Sequence, residues 1–526
     1  MAMEEATAVA VRLQVFVAVF FFSFSASFVG LSLLLKLLRS RPWCDCDVCR
    51  TYATGGWAAE FPNLCDWYTE LLRRSPTGTI HVHVLGNVIT ANPANVEHML
   101  KTRFDNYPKG RAFSSILGDL LGKGIFNVDG EDWRFQRKMA SLELGSVCVR
   151  TFALQIVSSE VRDRLLPLLA SVSTVDMQDV FRRFSFDSIC RISFGVDPGC
   201  LELSLPISEF AAAFDTATRL SASRAAATSP LVWKVKRLLN VGSERELRKS
   251  IRLINVLAEE VIRRRSNLKL GSSASASASA SASSSSPSSL ASSATGQDLL
   301  SRFMGSIHDD KYLRDIVVSF LLAGRDTVAS ALTSFFYLLS DHPEVEEAIL
   351  EEAARVMGAG AGAIPSWDQL REMHYTHASI YESMRLYPPV QFDSKFAVED
   401  DLLPDGTFVG KGTRVTYHPY AMGRMEEAWG SDCLKFRPGR WLSDKGTFVP
   451  ESPFKYAVFQ GGSRVCLGKE MAVMEVMCVA VSIVREFQVR THHSRLPLKF
   501  APGLTATVSG GLPVRVTRRR EAASSR

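Results

Sequence analysis

The first strong pattern in the chain is an apolar stretch from Leu13 to Leu35, uncharged between Arg12 and Lys36. As a helix rising about 1.5 Å per residue it spans about 35 Å, enough to cross a hydrocarbon core of about 30 Å. A cleaved leader would carry a shorter apolar run, about 7–15 residues, ending in small residues. This run ends in Lys36, Arg39 and Arg41 and reads as an anchor, with the chain beyond it on the cytosolic side. After the anchor the periodicity is mainly helical. Arg245 to Leu268 predicts a charged amphipathic helix. Tyr312 to Ser340 predicts a long helix apolar on most faces, hence buried. Another helix starts near Pro343 and stops at the Gly/Ala run Gly358 to Ala363. Strand-like alternation is confined to short pieces: His81 to Ile89, Thr413 to Tyr417 and Leu512 to Thr517. Gly271 to Thr295 is almost entirely Ser and Ala, has no apolar face and contains Pro287, so it reads as a solvated linker.

These patterns predict a mainly α fold with small β-sheets and no internal repeat. The expected boundaries are a short luminal segment 1–12, a transmembrane anchor 13–35 and a basic, cysteine-containing linker 36–55. A main folded domain 56–518 follows, with 271–295 as a disordered loop, and then a tail 519–526. Composition agrees: 526 residues with 46% apolar and 22% charged side chains describe a globular chain. The net charge of +6 is scattered, which argues against nucleic acid as a partner. Ten cysteines in such a length make no disulfide framework. Cys44, Cys46 and Cys49 cluster as C-x-C-x-x-C, but no second Cys/His pair at zinc-like spacing follows, so they read as reduced thiols without a catalytic role.

The strongest chemical signal is Phe459-Gln-Gly-Gly462-Ser-Arg464-Val-Cys466-Leu-Gly468, followed directly by an apolar helix from Lys469 to about Arg485. A cysteine at a helix start meets unpaired N–H groups and the positive end of the dipole, and both favour thiolate. An anionic sulfur is what a haem iron takes as an axial ligand. Gly462 and Gly468 let the backbone pass close to a flat macrocycle, and Arg464 can meet a propionate. A second signal is Glu382-Ser-Met-Arg385, whose Glu and Arg share a helix face. With Arg440 in Phe436-Arg-Pro-Gly-Arg440-Trp441 they would form a buried lock in which each charge needs the others. A third is Ala323-Gly324-Arg325-Asp326-Thr327 inside the buried helix. Gly324 suggests an opened turn, where an acid followed by a hydroxyl can pass protons toward a cofactor; the alternative is an Arg325–Asp326 pair. The fourth is Trp133-Arg-Phe-Gln-Arg137, whose indole and guanidinium share one face and can both grip a propionate.

With these four motifs in this order, the chain resembles the cytochrome P-450 superfamily over nearly all of its length after residue 44. The resemblance implies the cytochrome P-450 fold behind an N-terminal transmembrane helix, with 56–518 as a haem-thiolate catalytic domain. It implies haem b bound through a Cys466 thiolate, O2, and electrons from NADPH through NADPH-cytochrome P-450 reductase. It further implies Glu382, Arg385 and Arg440 as a structural triad and Asp326 with Thr327 as the catalytic acid–alcohol pair. Trp133, Arg137, Arg464 and Lys395 are then propionate partners, and Phe459, Gly462 and Gly468 frame the cofactor. One departure is Gly439, where the family often carries an acid; the long Ser/Ala stretch is another.

Finer strings narrow the resemblance. Phe104 to Gly110, Leu117 to Gly130, Phe135 to Ser146, Ala323 to Thr327 and Phe500 to Val514 are similar to plant fatty-acid ω-hydroxylases. Ala140 to Ser146, Val390 to Ala397 and the Cys44–Cys49 cluster are similar to the subfamily that oxidises jasmonoyl-isoleucine at its terminal carbon, turning the 12-hydroxy conjugate into the 12-carboxy one and ending a hormone signal. That implies an endoplasmic-reticulum membrane protein with a small lipid-derived substrate. Free medium- or long-chain fatty acids are the alternative substrate. A haem-thiolate peroxide isomerase or dehydratase and a haem sensor are alternatives of other classes, and neither needs the Asp326–Thr327 pair. Phe113, Ile116, Phe126, Phe320, Ala323, Val390 and Leu504 are expected to line the pocket, with Thr507 or Thr327 offering a hydroxyl. Lys109, Arg111, Arg219 and Arg224 are candidates for the substrate carboxylate.

Overall fold

The computed structural model describes residues 17, 19–25, 27–30, 44, 46–202, 209–227, 229–279, 299–305, 307, 309–358, 362–492 and 497–519. They divide into two units, Met1–Gly56 with Val82–Gly86, and Trp57–His81 with Asn87–Arg526. In the first unit the described residues between 17 and 30 are helical and expose Phe20, Phe22, Phe24 and Phe28. The remainder of the expected anchor 13–35 lies outside the described residues. A helix Asp47–Thr54 follows Cys46, whose extended backbone caps it, and stops at Gly55 in the left-handed region. Its one buried residue is Cys49. The unit's other segment is a single turn, His83–Leu85, ended by Gly86 at φ 56.

The second unit is mainly helical, around two apolar cores. One gathers Thr327–Asp341, His374–Leu386 and Lys469–Glu486 with Met177–Phe194. The other gathers Gly110–Leu121, Glu209–Ala226 and Asp310–Leu321 with the first part of Ser243–Ser279. The long apolar segment expected at Tyr312 to Ser340 runs Asp310–Asp341 and connects both cores. It has the length and hydropathy of a membrane span but is 78% buried within the protein, so its apolar faces are consumed by packing. It opens once, in a π-helical turn at Leu322–Asp326. The strand Asn87–Thr90 pairs in parallel with Arg414–Tyr417, which pairs antiparallel with Asp393–Phe396. Phe487–Thr491 and Pro513–Arg518 form a second antiparallel ladder with Thr174–Asp176.

Two local expectations change. His81 to Ile89 is not one strand: Thr79–Val82 and Asn87–Thr90 are separated by the turn at His83–Leu85, because Gly86 takes a left-handed conformation that breaks the ladder. The helix starting at Ser243 continues to Ser279 and so enters the stretch expected to be a linker from 271. Alternating alanine sustains the backbone helix without an apolar face; residues 280–295 lie outside the described residues. The helix Pro343–Met357 ends as expected, at Gly358 with φ 77.

Candidate active site

The cysteine loop is two short turns, Ala457–Phe459 and Gly462–Arg464, with Gln460 between them at φ 58. The Cys466 amide donates to the Phe459 carbonyl at 2.8 Å and closes the loop. Gly462 also has φ 58, and a Cβ there would stand 1.9 Å from the Leu100 carbonyl oxygen, so only glycine fits. The following helix is Lys469–Glu486 with Gly468 as its cap, so Cys466 precedes the first turn and does not lie within it. Cys466 has accessible surface although protein surrounds it, as a side chain facing an internal cleft does. Burial pushes its thiol up, against the Gly468 N–H and the charges of Arg137 and Lys469. The helix start therefore does not make a thiolate by itself; an opposing metal charge is what would complete it.

Cations gather beside this loop. Arg464 lies over the Trp133 ring with its guanidinium carbon 4.5 Å from the centroid, and donates to Asp129 at 2.6 Å. Its Nε is buried with no partner. Arg137 donates to the Val465 carbonyl at 2.5 Å. Lys395 is fully buried, 3.0 Å from Asp393, which also takes Lys109 at 2.5 Å. Burial pushes the Lys395 ammonium well below its ordinary value. Burial alone would raise Asp393, but the Lys109 and Lys395 charges hold it below the usual carboxylate range. Arg464 and Arg137 are both lowered by burial. Buried positive charge in excess of its acids is a setting for an anionic ligand.

Glu382, Arg385 and Arg440 come together. Arg385 grips Glu382 through two nitrogens, both at 2.7 Å, and neither side chain is exposed. Arg440 Nε donates to the same carboxylate at 3.1 Å, Trp441 Nε1 at 3.0 Å and the Arg437 amide at 3.0 Å. The third Arg385 nitrogen, Nη1, reaches the carbonyls of Gly423 and Cys433, and Nη2 also donates to that of Lys435. Gly439 faces open space, and Asp432 supplies the second acid to Arg440, at 2.6 Å.

In the core helix the opening falls at Gly324, where a Cβ would lie 2.4 Å from the Ile189 Cδ1. Thr327 Oγ1 donates back to the Ala323 carbonyl at 2.5 Å. Arg325 pairs with Asp326 at 3.1 Å and with Asp215 at 2.6 Å, which is the Arg–Asp alternative weighed from sequence. Burial pushes the Asp326 carboxyl up, against the pull of Arg325.

Four of the expected pocket residues, Phe113, Ile116, Phe320 and Leu504, pack against one apolar cluster that also takes Leu467, the neighbour of Cys466. The Ala506 amide donates to the Pro389 carbonyl at 2.8 Å, which brings the chain at Val390 beside that at Thr507. Phe126 is outside this cluster and 37% exposed. Of the carboxylate candidates, Arg224 is held by Glu244 and Asp119, Lys109 by Asp393 and Arg219 by Glu246. Lys109 and Arg224 are buried in their pairs, which is the physical reason to set those two aside; the Arg219 pair is exposed, and Arg111 has no ion pair among the described residues. A cleft of about 600 Å³ bordered by Asn63, Asp66, Tyr387, Tyr420 and Arg424 lies elsewhere and includes none of the expected pocket residues. Sequence reading missed His83, which the structure brings to the cysteine cluster of the first unit. Its one sequence signal was a histidine in a strand-like segment.

A cytochrome P450 family model matches residues 66–512. Cytochrome P450 94C1 of Arabidopsis thaliana is 58% identical over 495 residues, covering 92% of this chain and 95% of that protein. Cytochrome P450 94B3 of the same plant is 47% identical over 469 residues, covering 87% and 88%. Cytochrome P450 94A1 of Vicia sativa is 42% identical over 468 residues, covering 86% of each.

Proposed function

The chain belongs to the cytochrome P450 family, as a haem-thiolate monooxygenase of the plant CYP94 group, and from that premise we propose that it oxidises the terminal carbon of jasmonoyl-isoleucine, above all the 12-hydroxy conjugate to the 12-carboxy form. The observation that carries the substrate reading is the likeness of Ala140–Ser146, Val390–Ala397 and the cysteine cluster to the enzymes of that hormone conjugate. The second of these strings contains Asp393 and Lys395, the buried ion group beside the cysteine loop.

The residues present fit a haem. Cys466 would hold its iron through sulfur, and the buried, partnerless Nε of Arg464 is a donor without an acceptor in the protein. Arg464, Arg137, Lys395 and Trp133 would hold the propionates. When bound, the haem supplies reductive activation of O2 and insertion of one oxygen atom into a C–H bond, with electrons arriving from NADPH through the reductase. Thr327, at the open turn, would hold a proton-carrying hydroxyl over the pocket, with Asp326 behind it. Methyl C–H bonds are stronger than in-chain ones, so attack at a chain end is an orientation effect of the pocket. Phe113, Ile116, Phe320 and Leu504 would provide that restraint, and Arg111, without an ion pair among the described residues, would meet the substrate carboxylate. The apolar N-terminal helix would cross the endoplasmic-reticulum membrane and keep the catalytic domain on the cytosolic side.

The test is turnover by full-length enzyme with reductase and NADPH on jasmonoyl-isoleucine, 12-hydroxy-jasmonoyl-isoleucine and lauric acid. The 12-carboxy product should appear by mass spectrometry, with lauric acid the poorer substrate. An inert conjugate beside rapid lauric acid oxidation transfers the reading to free fatty acids.

A further inference from the structure

The first unit brings four metal-ligating side chains to one point. Cys44, Cys46, Cys49 and His83 each present a ligand atom, and these atoms all lie within 4.8 Å of one another. Among the described residues it is the one group of three or more such side chains so placed. Tetrahedral zinc with bonds of about 2.3 Å to sulfur and 2.0 Å to nitrogen separates its ligand atoms by about 3.5–3.8 Å. Cys44 Sγ and His83 Nδ1 are already 3.3 Å apart, across 39 positions of sequence. All three cysteines are free.

We propose that Cys44, Cys46, Cys49 and His83 form a structural zinc site of the Cys3His type. Local chemistry favours it. Cys46 caps the helix Asp47–Thr54 and Cys49 lies in its first turn, so two sulfurs stand at the positive end of a helix. The Val84 amide points at the Cys49 sulfur at 3.4 Å, the outer-shell donor a metal-bound thiolate uses. The turn at Gly86 presents His83 out of line with the strand before it, and this is what lets a residue so far along the chain complete the set. Zn²⁺ replaces three thiol protons and binds one neutral imidazole nitrogen, so all four positions belong to protein and none is left for chemistry. The helix Asp47–Thr54 buries no side chain but Cys49, so apolar packing does not hold this segment and a metal clip would.

The test uses full-length protein, purified in detergent under reducing conditions from zinc-supplemented cells, with zinc measured per haem. Wild type should carry about one zinc, and Cys46→Ser and His83→Ala should fall below about one tenth while keeping the haem spectrum. Cys148→Ser, an exposed cysteine elsewhere, should keep its zinc. Zinc-edge X-ray absorption on the wild type should show three sulfurs and one nitrogen, a readout that does not depend on the variants folding. Zinc-free wild type, a shell without sulfur, zinc retained by both variants, or a disulfide among the three cysteines in protein prepared without oxygen overturns the proposal.

Discussion

Two of the arginine–carboxylate pairs buried in the second unit, Glu382–Arg385 and Arg325–Asp326, are completed differently. Glu382 receives five donated hydrogen bonds, from Arg385, Arg440, Trp441 and the Arg437 amide, and the remaining Arg385 N–H groups end on carbonyls. At Arg325–Asp326 the acid holds its arginine by one bond, Arg325 Nε has no partner, and burial raises the acid. The first pair sits in an unbroken helix, His374–Leu386; the second sits where the helix opens. Burial of charge is common to both. What differs is whether every donor and acceptor is used, and that separates a fixed structural element from one with capacity left for protons.

The comparison breaks if the two sites respond alike. Glu382→Gln leaves the buried Arg385 guanidinium without its carboxylate, while Arg440 keeps Asp432, and should cost about 3–5 kcal/mol, seen as lost haem incorporation and a lowered melting temperature. A folded, haem-replete variant would show that the network is dispensable. A third buried acid, Glu475, sharpens the contrast, because burial alone pushes its carboxyl up to about 8. Its native form keeps a proton that the unfolded chain loses near pH 4.5, so stability should fall as pH rises from about 4.5 to 8 and then level. Glu475→Gln should remove that slope: little change at pH 4.5, and a gain of about 4 kcal/mol at pH 8 by thermal unfolding. Equal melting curves at both pH values would place a hidden partner beside the carboxyl.

Asp326→Asn should have the smallest effect on stability, about 1 kcal/mol, since Arg325 keeps Asp215. Its effect should fall on coupling. Both Asp326→Asn and Thr327→Ala should consume NADPH while forming less oxidised product and more hydrogen peroxide. Unchanged product per NADPH would leave proton transfer to water alone, and the open pair would then be structural like the closed one.

Features built from near neighbours were legible from sequence. The loop from Phe459 to Gly468 is one continuous string, and Glu382 and Arg385 are three apart on one helix, a weak spacing that its place ahead of the cysteine loop and the presence of Arg440 made informative. Gly324 announced the opened turn, since a helix interior otherwise excludes glycine. Features that depend on distant chain were not legible. His83 joins the cysteines only through a turn that its own neighbours disguise as a strand. The burial of Lys109 and Arg224 in pairs with acids could not be seen until the helices were placed, and it removes two of four candidate carboxylate binders. The Ser/Ala stretch was misread at its start because alanine's backbone preference acts even where no face is apolar.

The parallel pairing of Asn87–Thr90 with Arg414–Tyr417 also sets a clock. Thr416 and Asn87, joined by a 2.9 Å hydrogen bond, are 329 positions apart. At about 5–20 residues per second on the ribosome, the earlier strand waits roughly 15–65 s for its partner to be made. All four of its residues are buried in the finished protein, so for that time a strand edge meant for the interior stands open. Asn63 waits longer still, for Leu498 and Phe500, its partners 435 and 437 positions on. A chain released before its last strands are made would be exposed to aggregation through this open edge.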